Sequence, residues 1–274
     1  MLTRLTEHRV LKPWGRSDVP PGFGEASNGE PLGEIWFQRE GHHDALLIKY
    51  LFTSERLSIQ VHPDDVGARD AGFSRGKDEA WLVLDADPQA EIGIGTRKPV
   101  STQELRAASL DGSVVDLVDW RPVSSGDAFY SPAGTIHAIG PGLTLLEVQQ
   151  NADITYRLYD YGRPRELHLD EGLKAAKTDL RIEKSTERQI EAGRSIVTEG
   201  PKFIVERWKA RSGSLSAGTS APLWLIPLNG SPSANGEALR TPGVWIAEAP
   251  VSFETGSAGE LLVAYEGSTI RDFQ

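Results

Sequence analysis

The stretch LSIQVHPDD, residues Leu57–Asp65, decides how the chain is read. Side chains alternate across a strand, so Ser58, Gln60 and His62 share one face while Leu57, Ile59 and Val61 take the other. The apolar face suits a core and the polar face suits chemistry. Pro63 lacks a ladder donor and ends the strand, which leaves His62 at a rim where functional groups commonly sit. Asp64 and Asp65 then read as turn-shaping residues that cap nearby backbone donors.

Working outward, short segments rich in β-branched and aromatic residues recur between Gly, Pro, Asp and Ser: ALLIKYLF, AWLVLDA, AEIGIGT, DAFYSP, TIHAI and LTLLEVQ. That rhythm belongs to a sandwich or barrel. Two stretches break it. Ser101 to Leu117 opens with a capping-box pattern, Ser101 with Glu104, and its apolar spacing predicts a short helix or two. Leu169 to Leu180 has good helix formers and no internal proline, and predicts another. A polar connection over Arg181 to Ser195 follows, and then a second set of strand-like runs, KFIVERWKA, PLWLIPLN and ELLVAYEG among them. The chain is therefore expected to hold a module over 1–180 with a helical insert and a strand-rich module over 195–274. Gly93 and Gly95 lack the third glycine of a nucleotide fingerprint and read as a hairpin or bulge.

The bulk properties narrow the function. With 274 residues the chain can bury an ample core, and a formal net charge of −10 disfavours a nucleic-acid or anionic-membrane surface. Cysteine is absent, so disulfides and thiolate metal sites are excluded. The segment MLTRLTEHRVLKPWG holds no apolar run of signal-peptide length, and no later stretch approaches the ~20 apolar residues that span a bilayer. A soluble cytoplasmic protein is expected, with no nucleic acid, membrane or obligate protein partner.

The polar residues of the first half converge. GDAFYSPAGTIHAIG, Gly126 to Gly140, uses glycine and proline to set tight turns and places His137 just past a bend, facing inward where Ile136 and Ala138 face outward. GKDEAWLVL puts Lys77, Glu79 and Trp81 on one face at the start of another strand. Gln60, His62, Glu79 and His137 together offer one amide, two imidazoles and one carboxylate, a set that suits Zn²⁺ or Mn²⁺ with a position left for water. His42 and His43 lie in the polar run QREGHHD and read as loop residues; His8 and His168 lack partners in the pattern.

The skeleton G-x5-P-x-G-x2-H at Gly126 to His137 resembles the second cupin motif, and cupins are double-sheet jelly rolls. The first motif departs from the ordinary cupin form: Gln60 stands where the first His is usual, the gap from His62 to Glu79 is long, and Ala86 replaces the closing Gly. With KPWG at Lys12 to Gly15, GEIW at Gly33 to Trp36, QVHPDD, and PAGTIHAIGPGLTLLEVQQNADITYRLYDYGR, the chain resembles the type I mannose-6-phosphate isomerases, zinc-dependent cupin enzymes. The resemblance is dense from about Leu11 to Glu171 and thin beyond.

It implies a mainly β cupin jelly roll (a double-stranded β-helix) with a short helical insert, followed by a degenerate second jelly roll. The implied reaction is the reversible isomerisation of mannose 6-phosphate and fructose 6-phosphate through a zinc-stabilised enediolate. One Zn²⁺ per chain is implied, with another divalent ion as the alternative, on Gln60, His62, Glu79 and His137. By the same resemblance Glu147 is the preferred proton carrier, with Lys77 as its rival or electrostatic helper, and Arg157 serves catalysis and binding. Lys49, Ser58 and Arg163 match the phosphate end, Arg163 standing where other members have Lys. Two further readings stay open: a metal-binding cupin that senses or carries a sugar without turning it over, and a cupin isomerase or epimerase for another sugar phosphate.

Overall fold

The computed structural model describes residues 1–24, 29–215 and 221–273. Among these residues the chain forms four antiparallel sheets stacked in order, and the expected mainly β architecture is what the chain adopts. The outermost sheet of the first half has five strands, in the order Tyr156–Tyr159, Ile59–Val61, His137–Ile139, Glu91–Thr96 and Val118–Pro122. Facing it is a sheet of six: Thr6–Arg16, Leu32–Gln38, Leu46–Thr53, Leu143–Gln150, Glu79–Ala86 and Ala128–Ser131. These two form the first jelly roll. A seven-stranded sheet, with Phe203–Lys209, Leu223–Asn229 and Glu260–Glu266 near its centre, and a four-stranded sheet containing Val251–Glu254 form the second.

Period-two alternation assigns each strand's side chains to one of two layers. In Leu46–Thr53, Ile48, Tyr50 and Phe52 point away from the first jelly roll and pack against Phe203, Trp224, Ile226 and Leu262 of the seven-stranded sheet. Lys49 and Leu51 point into the first jelly roll instead. The six-stranded sheet is thus buried on both faces, apolar toward the second half and mixed toward the cleft. The outer face of the five-stranded sheet is covered by helices: Leu105, Ala108, Val114 and Leu173 sit on Ile59, Val61, Ile136 and Ala138.

The helices follow their expected caps, with one addition and one shortening. Thr102–Asp111 starts at Ser101, whose hydroxyl accepts the Glu104 N–H at 3.1 Å, and ends at Gly112 in the left-handed region; Val114–Leu117 follows. Past Pro63 the chain forms the short helix Asp65–Asp70, with Asp64 capping Gly67, where sequence reasoning saw a turn. Leu169–Ala175 stops before Leu180 because Lys177 N–H bonds the Gly134 carbonyl and the Thr178 carbonyl accepts the Thr96 hydroxyl. Those long-range bonds hold this segment against the turn that carries His137. Part of the polar connection is ordered too, since Arg188–Glu191 pairs with Arg194–Glu199 across a turn at Gly193, φ +69°. One strand crosses the expected division of the chain: Leu2–Arg4 pairs with Trp245–Ala247 at the edge of the seven-stranded sheet.

Candidate metal centre and cleft

Two rows of side chains face each other inside the first jelly roll. On the five-stranded sheet Arg157, Gln60 and His137 lie side by side, because Gln60 is in register with both of the others. Opposite them Trp36, Lys49, Glu147 and Trp81 form a second row, each in register with the next. Glu79 begins the same strand as Trp81 and points inward two residues before it. His62 ends the polar face of Leu57–Asp65, while Ile59 and Val61 are buried under the helices.

One candidate ligand atom each from His62, Glu79 and His137 lies within 4.8 Å of the others, all three residues being fully buried. His62 Nδ1 is 2.8 Å from the Ile154 carbonyl and His137 Nδ1 is 2.9 Å from the Thr135 carbonyl. A carbonyl only accepts, so both Nδ1 atoms carry the proton and donate. In the neutral rings each Nε2 then presents a lone pair, 3.3 Å from Glu79 Oε1 for His62 and 3.3 Å from Oε2 for His137. Burial, with the charge of Lys77 beside it, pushes the His62 imidazole down to about 3, and burial lowers His137 as well. For Glu79 burial acts to raise the carboxyl, but the Lys77 charge outweighs it and holds it well below the usual range. Acceptors therefore face acceptors at a buried position. A cation between them turns both repulsive contacts into attractive ones, so this donor set fits a divalent metal ion.

Gln60 completes the cluster, its Nε2 3.3 Å from His137 Nε2 and its Oε1 accepting the Ser58 hydroxyl at 3.0 Å. Because a hydroxyl can donate or accept, the Gln60 amide keeps a partner in Ser58 in either orientation, and can present its oxygen to a cation. Ser58 thus holds a candidate ligand. Lys77 Nζ lies 2.9 Å from Glu79 and 3.5 Å from His62 Nε2, next to the cluster.

The rest of the cleft is polar and charged. Both Glu147 oxygens are engaged, Oε1 with Lys49 at 3.2 Å and Oε2 with the Trp81 indole N–H at 3.0 Å. Burial, together with the Glu79 charge, raises the Glu147 carboxyl. Burial would lower Lys49, but the surrounding Glu147, Glu34 and Glu79 raise it instead; its ammonium also lies 4.4 Å from the Trp36 ring centre. At the far wall Arg157 and Arg165 line the cleft, with Arg157 Nε lacking a hydrogen-bond partner among the described residues. Arg165 is held by a two-pronged pair with Asp160, at 2.5 and 2.6 Å.

Most of the residues singled out by sequence meet here, and one does not. Arg163 points elsewhere, bonded to Asp160, Glu55 and the Arg56 carbonyl and set against the Tyr161 ring. Arg165, two residues on, is the arginine at the cleft; no role had been expected for it. Sequence reasoning also left Lys12, Glu34 and Trp36 without roles, although KPWG and GEIW contain them. Their signal was the alternation of Glu34 and Trp36, which puts both on the face that Lys49 shares. His168 has a local partner after all, its Nδ1 accepting the Arg157 backbone N–H at 3.3 Å. Gly93 and Gly95 lie at a bulge in Glu91–Thr96, where a Cβ at 93 would meet Val118 at 2.6 Å.

No protein-family model matches the chain. It is 34% identical over 232 residues to a mannose-6-phosphate isomerase of Streptococcus mutans, covering 78% of this chain and 73% of that protein. Against a mannose-6-phosphate isomerase of Bacillus subtilis it is 36% identical over 229 residues, covering 77% and 71%. Among solved structures, that of a Bacillus subtilis mannose 6-phosphate isomerase superposes with a TM-score of 0.81 at 27% identity, over 95% of this chain and 98% of that one. A zinc-bound mannose 6-phosphate isomerase matches at a TM-score of 0.74 and 14% identity over 97% and 99%, a likeness of fold.

Proposed function

The chain belongs to the mannose-6-phosphate isomerase family, and from that premise we propose that it interconverts mannose 6-phosphate and fructose 6-phosphate at the cleft of its first jelly roll. The observation that carries this reading is the meeting of the His62, Glu79 and His137 donors beside two buried lysines and a buried carboxylate. A metal binder without turnover has no use for Glu147 and Lys77 at that point.

We assign Zn²⁺ to Gln60, His62, Glu79 and His137, since two imidazoles, a carboxylate and an amide oxygen match its preferences. Zinc held there would supply Lewis-acid polarisation of the bound sugar. The remaining work falls to the protein. The isomerisation takes a proton from C2 of the aldose and returns one to C1, while a hydroxyl proton moves between the two oxygens. Glu147 carries the carbon-bound proton: its raised carboxyl is better matched to neutral pH than an ordinary glutamate, and Lys49 and Trp81 fix its orientation. Lys77 stabilises the negative charge that develops next to the cluster. Arg157 contributes positive charge from the opposite wall, and Arg165 and Lys49 favour an anionic group within the same cleft. Ser58 acts by holding the Gln60 amide. All these residues fall within 1–180, which we assign as the metal-binding module, with 195–274 as the degenerate jelly roll, whose large sheet also takes in Leu2–Arg4 and Arg188–Glu191.

Proton NMR of the purified protein with mannose 6-phosphate in D₂O tests the reading directly. Fructose 6-phosphate should appear together with deuterium at the exchanging carbon, conversion should stop on chelation, and Zn²⁺ should restore it. Full turnover by metal-free protein would end the metal assignment, and a metal-loaded protein that exchanges no proton would point to a sugar binder.

A further inference from the structure

The three segments that bear the proposed ligands are tied together by side chains that are not ligands. Asp65, just beyond His62, accepts the Gly76 N–H at 2.8 Å and the Gln150 amide at 3.1 Å. Gln150 accepts the Asp78 N–H at 3.0 Å through its side chain and gives its own N–H to the Asp78 carbonyl at 3.0 Å. Asp78 lies between Lys77 and Glu79 and accepts the Ala133 N–H at 3.0 Å and the Tyr130 hydroxyl at 2.9 Å. Gly134 N–H closes the circuit on the His62 carbonyl at 2.8 Å. Residues 62–65, 76–79 and 133–137 are therefore joined in one hydrogen-bonded unit, organised by two carboxylates.

A single residue from the other half of the molecule grips this unit at two points. Lys202 Nζ lies 2.6 Å from Asp65 Oδ2, and Lys202 N–H donates to the Tyr130 hydroxyl oxygen at 3.3 Å. The turn that presents it lies flat on the Tyr130 ring, since a Cβ on Gly200 would come within 2.0 Å of that ring. Both attachments lead to the loops that carry ligands, one through Asp65 and the other through Tyr130 to Asp78.

We propose that Lys202 is a positioning residue for the metal centre, the means by which the second jelly roll holds the spacing of His62, Glu79 and His137. This rests on the metal assignment above. A half-exposed ion pair adds little to global stability, so the contribution of Lys202 is to the geometry of the loops. Groups that orient ligands from outside the coordination sphere commonly change metal retention more than they change folding.

The test uses zinc-loaded full-length protein and follows capture of zinc by a chromogenic chelator, kcat and KM, and the denaturant midpoint of the metal-free form. Lys202→Ala should release zinc roughly threefold to tenfold faster and lower kcat in parallel, and Lys202→Arg should restore both. Tyr130→Phe, which removes the second attachment and keeps the ring, should shift release in the same direction. Arg188→Ala is the control, since it breaks a 2.8 Å ion pair with Glu199 in the same half that touches none of the three segments. Zinc release and kcat equal to the control, with any loss confined to the denaturant midpoint, would overturn the proposal. A wild-type protein that retains no zinc would overturn it together with the metal assignment, and the wild-type trace alone identifies that case.

Discussion

Each half of the molecule buries a carboxylate in the middle of a jelly roll, and the two are answered differently. In the second half Glu206 receives Arg194 at 2.6 and 2.7 Å, the Trp208 indole N–H at 2.8 Å and the Tyr265 hydroxyl. Arg194 in turn lies between the rings of Trp208 and Phe273, at 5.4 and 4.8 Å, and donates to the Arg271 carbonyl. That centre is closed, with its charge neutralised by a residue of the same sheet. In the first half Glu79 meets one lysine and two imidazoles whose lone pairs point at it. That centre leaves donor atoms that fit a divalent cation. One architecture thus supports a structural ion pair or a metal site, according to whether the neighbours of its buried acid bring protons or lone pairs.

The largest effects should separate these two carboxylates. Glu79→Gln should abolish zinc retention and lower turnover by roughly a thousandfold or more, in addition to the stability lost by leaving the Lys77 ammonium buried without its 2.9 Å partner. Glu206→Gln should cost stability alone: it leaves Arg194 with only the part-exposed Glu191 as a charge partner, at a cost of up to about 3–5 kcal/mol, with zinc content intact in the protein that folds. Bound zinc by metal analysis and stability by denaturant titration distinguish the outcomes. Equal zinc loss in both variants would show that the two centres are not independent.

A smaller contrast lies within the cleft. Arg157→Ala should lower kcat by about 10²-fold or more with zinc retained, as for a group that acts mainly in the transition state. Arg165→Ala should raise KM about tenfold with kcat near that of the wild type, as for a group that holds the anionic substrate. Arg163→Ala should change neither beyond about twofold, since its guanidinium is committed to Asp160 and Glu55. Steady-state kinetics on the three proteins decide the order, and a KM effect at Arg163 alone would restore it as the phosphate residue.

The same contrast explains what could be read from sequence. His62, Glu79 and His137 were legible because each sits at the end of a strand, beside a turn residue, Pro63, Gly76 or Gly134, that fixes where the chain bends. The alternation in LSIQVHPDD separated Ile59 and Val61, which pack under the helices, from Ser58, Gln60 and His62 on the cleft side, but Leu57, expected with the first pair, joins the cleft side where the strand has not yet begun. The second centre was illegible because Arg194, Glu206 and Tyr265 come from three strands that no local pattern connects. Arg163 and Arg165 share an alternating position and both pair with Asp160; only the tertiary contacts of Arg163 with Glu55 and the Arg56 carbonyl turn it away from the cleft. Leu2–Arg4 joins the seven-stranded sheet through a pairing with residues more than two hundred positions away, which periodicity does not report.

The smallest effect concerns the link between the halves, and pH reads it. Burial acts to raise the Asp65 carboxyl, but Lys202, Gly76 and Gln150 outweigh it and bring it to about 2. The folded value lies below that of an unfolded aspartate near 3.9, so the native state binds fewer protons between those two values. The stabilisation is therefore complete above about pH 4 and is lost as the pH falls toward about 2, and after screening at this half-exposed site it amounts to on the order of 1 kcal/mol. Other carboxylates titrate in the same window, so the informative quantity is wild type minus Asp65→Asn, measured by denaturant titration from pH 5 to pH 2. That difference should shrink with acidification, and it should be smaller at every pH in a Lys202→Ala background because the strongest source of the shift is gone. A difference that stays flat with pH would mean that Asp65 acts there only as a neutral hydrogen-bond acceptor, and the Lys202 contact would then add no charge-dependent link between the halves.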